Sequence, residues 1–462
     1  MQRIAVVGAG FSGAATVIQL LRRHGDLPLT VTLISRHPEL GRGVAYGTHS
    51  PTHLLNVPAG RMSLFPDDEE DFLRFARSRV PEATGGSFMP RSLYGEYLAT
   101  RLEEAVVGAR HARFVALTAE AKEVLPMPDG RIQLKLADGG MLEAERVVVA
   151  SGNYPPGDPR LPDMGFYSDA RYIRDPWAPG ALERVDAKRP VLLIGTGLTM
   201  MDVALELDRR GYTQPMHALS RRGLLPQEHR THHGGPLEPS VVMDMLRQGE
   251  PKVRRWSRAI RFCAAELEAS GIDWRDVIGA IRPFTAELWQ RLDLSERRRF
   301  LRHLQPYWDS HRHRTAPVAH ARLQRLIKEG RLSLRAGYLR ALAPEGDSVR
   351  VLWRPRHGAA GETFEVGTVI NCTGPKGAVE RSGDPFIRSL LDQGLMQADA
   401  LGLGVQVDKE GGLLDKAGRV SSALFYTGPL LKARDWECTA VPELRVAALK
   451  LADKLAATLK RA

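Results

Sequence analysis

Residues 4–13, IAVVGAGFSG, run from a short apolar strand into Gly8, Gly10 and Gly13 and on into a helical stretch that lasts to about Arg23. Gly8 permits a tight turn, Gly10 lets backbone approach a pyrophosphate, and Gly13 lets the helix pack closely on the strand. Phe11 and Ser12 open the helix, whose free N–H groups and positive dipole end suit phosphate. A second strand follows at Leu29 to Ile34, so the chain opens as a βαβ unit with a dinucleotide fingerprint. The acidic residue expected for an adenosine ribose at the end of that second strand is missing. Ser35 and Arg36 stand there instead, one able to bond a hydroxyl and the other to stack on adenine.

The same pattern returns at residues 191–202, VLLIGTGLTMMD, between another apolar strand and another helix. Gly195 and Gly197 repeat the turn, Leu198 and Thr199 begin the helix, and Met200 occupies the third glycine position. Past the next strand lies SRRG, where Arg221 and Arg222 would attract the 2′-phosphate of NADPH. The alternative for this pair is two solvated surface charges. Two further apolar strands end in small-residue turns, at Ser151, Gly152 and Asn153 and at Thr373, Gly374 and Pro375. Such turns allow close approach to a bound cofactor.

The 462 residues exceed one ordinary core. The fold class expected is α/β, with two Rossmann-like dinucleotide-binding domains and a helical insertion. Residues 1–160 form the first part of an FAD domain, 185–365 an NAD(P)H domain containing the insertion at about 237–330, and 366–462 return to the FAD domain. The insertion is read from Arg/Glu-rich helical periodicity that includes Trp256, Trp274, Trp289 and Trp308. It either covers the pocket or fills its own core.

The formal charge of +11 comes chiefly from scattered arginines, without the basic run and interleaved aromatics of a nucleic-acid groove. No apolar stretch approaches a membrane-spanning length. The three cysteines, Cys263, Cys372 and Cys438, have no paired spacing, which fits a reducing, cytoplasmic setting and removes a redox disulfide as electron acceptor. His229, His232 and His233, with His311, His313 and His320, lack the spacing of a metal site, and none is expected.

The chain resembles the two-dinucleotide-binding flavoprotein superfamily, and within it the FAD/NAD(P)-binding family typified by the bacterial protein YdhS. The resemblance rests on GAGFSG at 8–13, GRGVAYGT at 41–48, HLLNVPAGRM at 53–62, PRSLYGEYL at 90–98, GTGLTMMD at 195–202, SRRGLLPQEH at 220–229, YWDSHRHRTAP at 307–317 and TAVPELR at 439–445. It implies FAD in the first site and NADPH in the second. It also implies that Asn56 and Val57 approach the flavin ring, that Arg91, Tyr94 and Tyr97 line the same lobe, that Gly428 and Pro429 lie near the ribityl chain, and that the helix starting at Val441 points at the pyrimidine end. Paired lobes without a redox disulfide imply a flavin monooxygenase acting with O₂ on a small molecule, N-hydroxylating or Baeyer–Villiger-like. Residues 165–177, GFYSDARYIRDPW, keep the aromatics of a signature common in such enzymes but lack its histidine. A reductase without a redox disulfide and a non-catalytic flavin-binding redox sensor are the other two readings. No catalytic acid or base is singled out.

Overall fold

The computed structural model describes residues 2–230, 237–358 and 360–459. Two large sheets organise them, and a third, antiparallel, joins Ala121–Pro126, Ile132–Leu136 and Met141–Ala144. The first has six strands in the order Gly412–Leu414, Val420–Tyr426, Arg146–Val149, Gln2–Val7, Leu29–Ser35 and Arg113–Thr118. All neighbours in it are parallel except the first pair. The second has seven, in the order Glu362–Val366, Ser348–Pro355, Leu332–Glu345, Met216–Ser220, Val191–Ile194, Thr368–Asn371 and Tyr172–Ile173. Its parallel part spans the last five. Val191–Ile194, at the centre of the second sheet, is apolar and buried throughout, because both of its faces are covered by core clusters.

The two glycine turns are built alike. Gly8 has φ +111°, and a Cβ there would lie 2.2 Å from the Ala150 carbonyl oxygen; Gly195 has φ +117°, with the Cys372 oxygen 2.5 Å from its would-be Cβ. In each lobe, therefore, the turn is pressed against the end of the adjoining parallel strand, and the small-residue turns at Ser151–Gly152 and Thr373–Gly374 are equivalent positions. The lobes differ at the third glycine. Gly13 brings its helix onto the Gly8 oxygen, 1.9 Å from an added Cβ, whereas Met200 is a fully buried core residue of the second lobe.

Three boundaries fall elsewhere than the sequence predicts. Thr368–Asn371 lies inside the second sheet, between Val191–Ile194 and Tyr172–Ile173, so that lobe extends beyond 365 and begins before 185. The strand is buried along its length and fills a central place that hydrophobicity alone cannot assign to one sheet or the other. The helical insertion also ends before 330. Helices from Ser240–Arg247 to Gln305–Arg312 share a core containing Val242, Trp256, Val277 and Trp289, joined by Trp436. Helix Pro317–Lys328 instead puts Ala319, Leu323 and Leu326 into the second lobe's core and leads into its Leu332–Glu345 strand. Its periodicity is the same as that of the insertion's helices, which is why composition does not separate them. The C-terminal helix Val441–Leu459 packs on the first helix, Phe11–His24, and Asp453 bonds His24 at 2.8 Å. No helix among the described residues is long and apolar enough to cross a membrane.

Candidate active site

The helix Phe11–His24 starts at Gly10 in extended backbone, with no side-chain cap and no acidic residue in its first turn. Its leading N–H groups are left without partners inside the helix. They open on a cavity of about 800 Å³ lined by the Gly8–Gly10 turn, Ser35, Arg36, Arg42, Gly43 and Ser151. A Cβ on Gly10 would make only ordinary contact, 3.8 Å from Gly43 Cα, so packing does not demand glycine there. Uncapped donors beside a side-chain-free approach fit a pyrophosphate.

At the far end of this cavity Ser35 accepts the His37 N–H at 3.2 Å, and Arg36 pairs with Asp384 at 2.8 Å and Glu120 at 3.1 Å. Two carboxylates, Glu39 and Asp384, line the same cavity, and Asp384 is engaged both with Arg36 and with the backbone N–H groups of Phe386 and Ile387. Glu39 sits only four residues beyond Ser35 and was within reach of sequence reading; Asp384, 348 residues from its partner Arg36, carried no local signal.

The loop that follows links this cavity to a second. Thr48, Ser50 and His53 face the first. His53 is buried, bonded through Nδ1 to Thr48 Oγ1 at 2.6 Å and packed edge-on against Trp177 at 5.2 Å. Burial holds its imidazole below the usual range, and Nε2 has no partner. Asn56, Val57 and Arg61 face the second cavity, of about 320 Å³, whose other wall comes from the insertion and the C-terminal segment up to Ala440. The insertion thus has its own core, walls this cavity, and holds a third of about 810 Å³ lined by Trp256, Trp274, Trp289 and Trp308. His229 bonds the Asn56 carbonyl at 3.0 Å, and burial, reinforced by Arg314, pushes it down to about 4.

The approach to the C-terminal helix is fixed by Glu437, the one non-glycine residue with positive φ among those described, at +76°. Its buried carboxylate accepts Trp308 Nε1–H at 2.7 Å and pairs with Arg312 at 3.1 Å. A left-handed backbone held by buried partners marks a position the surroundings impose. Gly428, at φ +135°, stands beside the first helix, its would-be Cβ 3.6 Å from Ser12 Oγ, with Pro429 next in line. The adjacent Thr427 is buried with its hydroxyl unpartnered, a donor suited to a sugar-alcohol chain that the sequence does not flag.

Not every expected residue reaches a cavity. Tyr94 is fully buried, in ring contact with Phe11, Tyr46, Phe72 and Tyr97, so it packs beneath the site; Tyr97, equally buried, gives its hydroxyl to Asp71 at 2.6 Å. These two rings close the aromatic core under the 41–62 loop. Arg91 pairs with Asp202 of the second lobe at 2.8 Å and donates to the Leu54 carbonyl, joining the lobes rather than lining a cavity.

In the second lobe, helix Leu198–Arg209 likewise begins uncapped, at Gly197, with no acid in its first turn. Thr199 is half-buried in that turn. Thr196 ties the turn to Ser220 at 2.8 Å and to the Leu224 carbonyl, and Thr373 bonds Asn371 at 2.7 Å. Arg222 donates to the carbonyls of His303 and Arg302, with Tyr307 under its guanidinium at 4.8 Å, while Arg221 is exposed. Of the other histidines, His311 bonds the Tyr307 carbonyl, His320 bonds Gln324, and His313 lies 3.5 Å from Glu437. His232 and His233 lie outside the described residues.

Residues 5–154 match a protein family described as FAD-NAD(P)-binding. The uncharacterized protein YdhS of Escherichia coli (strain K12) is 24% identical over 313 residues, covering 59% of this chain and 56% of the relative, so the matched stretch spans about half the relative's length. Among solved structures, the ornithine N-hydroxylase of Kutzneria sp. 744 superposes with a TM-score of 0.67 at 14% identity, over 99% of both chains. The L-lysine 6-monooxygenase of Pseudomonas syringae does so with a TM-score of 0.65 at 17% identity, over 100% of this chain and 99% of its own. The two lobes and their paired glycine turns have the fold of the two-dinucleotide-binding-domain flavoproteins.

Proposed function

We propose that this chain is an FAD-dependent, NADPH-using oxidoreductase of the cytoplasm, a flavin monooxygenase that oxygenates a small molecule. The observation that carries the reading is the pair of uncapped helix N-termini behind positive-φ glycine turns, one in each lobe. End-to-end likeness to amino-acid monooxygenases supports the oxygenating branch over others of the fold. So do the cysteines: Cys263, Cys372 and Cys438 are free and buried in three separate cores, which leaves no dithiol to receive electrons.

Bound FAD would supply the transfer of electrons from NADPH to O₂, with one oxygen atom entering the substrate and the other leaving as water. The chain holds and orients. The Gly8–Gly10 turn and the following N–H groups would take the pyrophosphate, Glu39 would take a ribose hydroxyl, and Thr427 would take the ribityl chain. Asn56 and Val57 line the second cavity, and the start of the C-terminal helix would set positive partial charge toward a bound ring. Arg221 meets the 2′-phosphate of NADPH.

The test is NADPH oxidation and O₂ uptake by the purified protein against a panel of amines, amino acids, ketones and carboxylic acids. Substrate-dependent O₂ uptake with an oxygenated product is the expected result. Recovery of all consumed O₂ as peroxide with every compound would identify a reductase, and absence of any NADPH oxidation a sensor.

A further inference from the structure

The second cavity is unusual in its charge. Six arginines line it: Arg61, Arg230, Arg275, Arg282, Arg312 and Arg314. Four are neutralised. Arg230 pairs with Asp276, Arg275 with Asp273 at 3.1 Å, Arg282 with Glu443 at 2.8 Å and Arg312 with Glu437 at 3.1 Å. Arg61 and Arg314 have no carboxylate within 4.0 Å among the described residues. The one further carboxylate at the lining, Glu238, is exposed at the rim. Arg314 is the more telling of the two, because its Nε is sealed from solvent with no hydrogen-bond partner. Burial and the like charges of Arg312, Arg275, Arg230 and Arg61 pull its guanidinium down to about 10. Arg314 is half-buried, and a sealed, unpaired Nε in a field of its own sign is costly unless an anion completes the guanidinium's partners.

We infer that this cavity is the substrate subsite for an oxyanion group, a carboxylate or phosphate, gripped between the guanidiniums of Arg61 and Arg314. The inference rests on the monooxygenase reading and narrows it to a substrate class. Arginine forks match planar oxyanions in two-point hydrogen bonds. The same lining offers no free buried carboxylate to hold an ammonium group, since Asp276 is occupied by Arg230. The acceptor site therefore lies at the Asn56–Val57 end, and the substrate reaches it with its anionic end held by arginine. A cationic diamine is disfavoured by the same charges.

The test is calorimetric titration of the FAD-loaded protein with glutarate, inorganic phosphate and cadaverine, with and without saturating NADP⁺. Glutarate or phosphate should bind saturably and still bind when NADP⁺ is present, and cadaverine should give no saturable heat. Arg61→Ala and Arg314→Ala should each weaken the anion roughly ten- to a hundredfold. Arg314→Lys should recover only part, because a point charge lacks the fork. Arg61 is exposed, so its variant reads binding even if Arg314→Ala misfolds. Unchanged anion binding in the Arg61 variant, no anion binding by folded wild type, or cadaverine bound as tightly as glutarate would each overturn the assignment. Loss of anion binding on adding NADP⁺, with a matching rise in KM for NADPH in the variants, would also overturn it by giving the arginines to the nicotinamide cofactor. Flavin content and NADPH oxidation, measured separately, report on the parent reading, since an anion cavity can exist without either.

Discussion

A methyl group added to Gly8 would sit 2.2 Å from the Ala150 oxygen, and one added to Gly13 1.9 Å from the Gly8 oxygen, while one added to Gly10 would meet only Gly43 Cα at 3.8 Å. The first two positions answer to backbone packing and the third to whatever approaches the turn. Gly8→Ala and Gly13→Ala should therefore each destabilise the chain by about 3 kcal/mol or more, through overpacking and, at Gly8, a disfavoured φ. Gly10→Val should melt within a few degrees of wild type yet purify with little flavin, which denaturation of the wild type should release as FAD. A flavin-loaded Gly10→Val protein would mean that the turn is structural only. At the second turn, Arg222 is already spent on two backbone carbonyls, leaving Arg221 as the free guanidinium. Arg221→Ala should lower kcat/KM for NADPH roughly tenfold or more and leave NADH nearly unchanged, because a charge-assisted bond to phosphate contributes about 1.5–3 kcal/mol. Equal losses for both nucleotides would remove the phosphate contact. The glycines were legible because their spacing between an apolar strand and a helix is itself the signal, although only Gly8 and Gly195 among them take a positive φ. Glu39 lies within the same stretch but past the strand end where the acidic residue is expected, and Tyr94 is ambiguous because a buried ring and a ligand-facing ring look alike in sequence.

Among the elements, the strand–turn–helix units stand out from the chain because period and punctuation change together there. The boundary between insertion and lobe does not, since helix Pro317–Lys328 repeats the periodicity of the helices before it and only its packing on Leu198–Arg209 assigns it. Two histidines report on how these elements are held. His217, on strand Met216–Ser220, bonds Ser333 across the sheet at 2.7 Å, and His229, in the segment beyond that strand, bonds Asn56 of the first lobe. Burial, the leading cause for both, pushes each down to about 4 from the ordinary 6.5. Between those two values the unfolded chain binds more protons than the folded one. Stability is thus lost as pH falls from about 6.5 to about 4, and these two groups take no more below that. Asp169, held at about 2 chiefly by its hydrogen bond to Arg171, adds a loss of the same sign only at lower pH. The melting temperature should fall between pH 7 and 4, and the fall should be shallower in a His217→Gln/His229→Gln variant. An identical slope in that variant would show that other groups control acid stability.

At the scale of the whole molecule, the helix that starts at the second nucleotide turn also closes the seam between lobes. Leu198–Arg209 presents Asp202 to Arg91 at 2.8 Å and Glu206 to Ser50, so the element that would hold NADPH is pinned to the loop that walls the first cavity. Arg91 and Asp202 lie 111 residues apart, and nothing local in either segment announces the pairing, which is why the sequence separates the lobes but leaves their relation open. The Arg91 and Asp202 side chains are 17% and 13% exposed, so removing one partner strands a largely buried charge. Asp202→Asn should cost about 3 kcal/mol or somewhat less, near the lower end for a broken buried pair. Its effect on chemistry should be selective. FAD content should stay near wild type, because no residue lining the glycine-turn cavity is changed, while hydride transfer from NADPH should slow, because the two lobes no longer hold their cofactor sites in register. Rapid-mixing measurement of flavin bleaching by NADPH reads this directly, and Arg91→Gln combined with Asp202→Asn separates the seam from a local defect. If the pair acts as a unit, the double variant should lose little more than either single one. Additive losses, or normal bleaching with only a lower melting temperature, would mean that Arg91–Asp202 stabilises the chain without aligning its two sites.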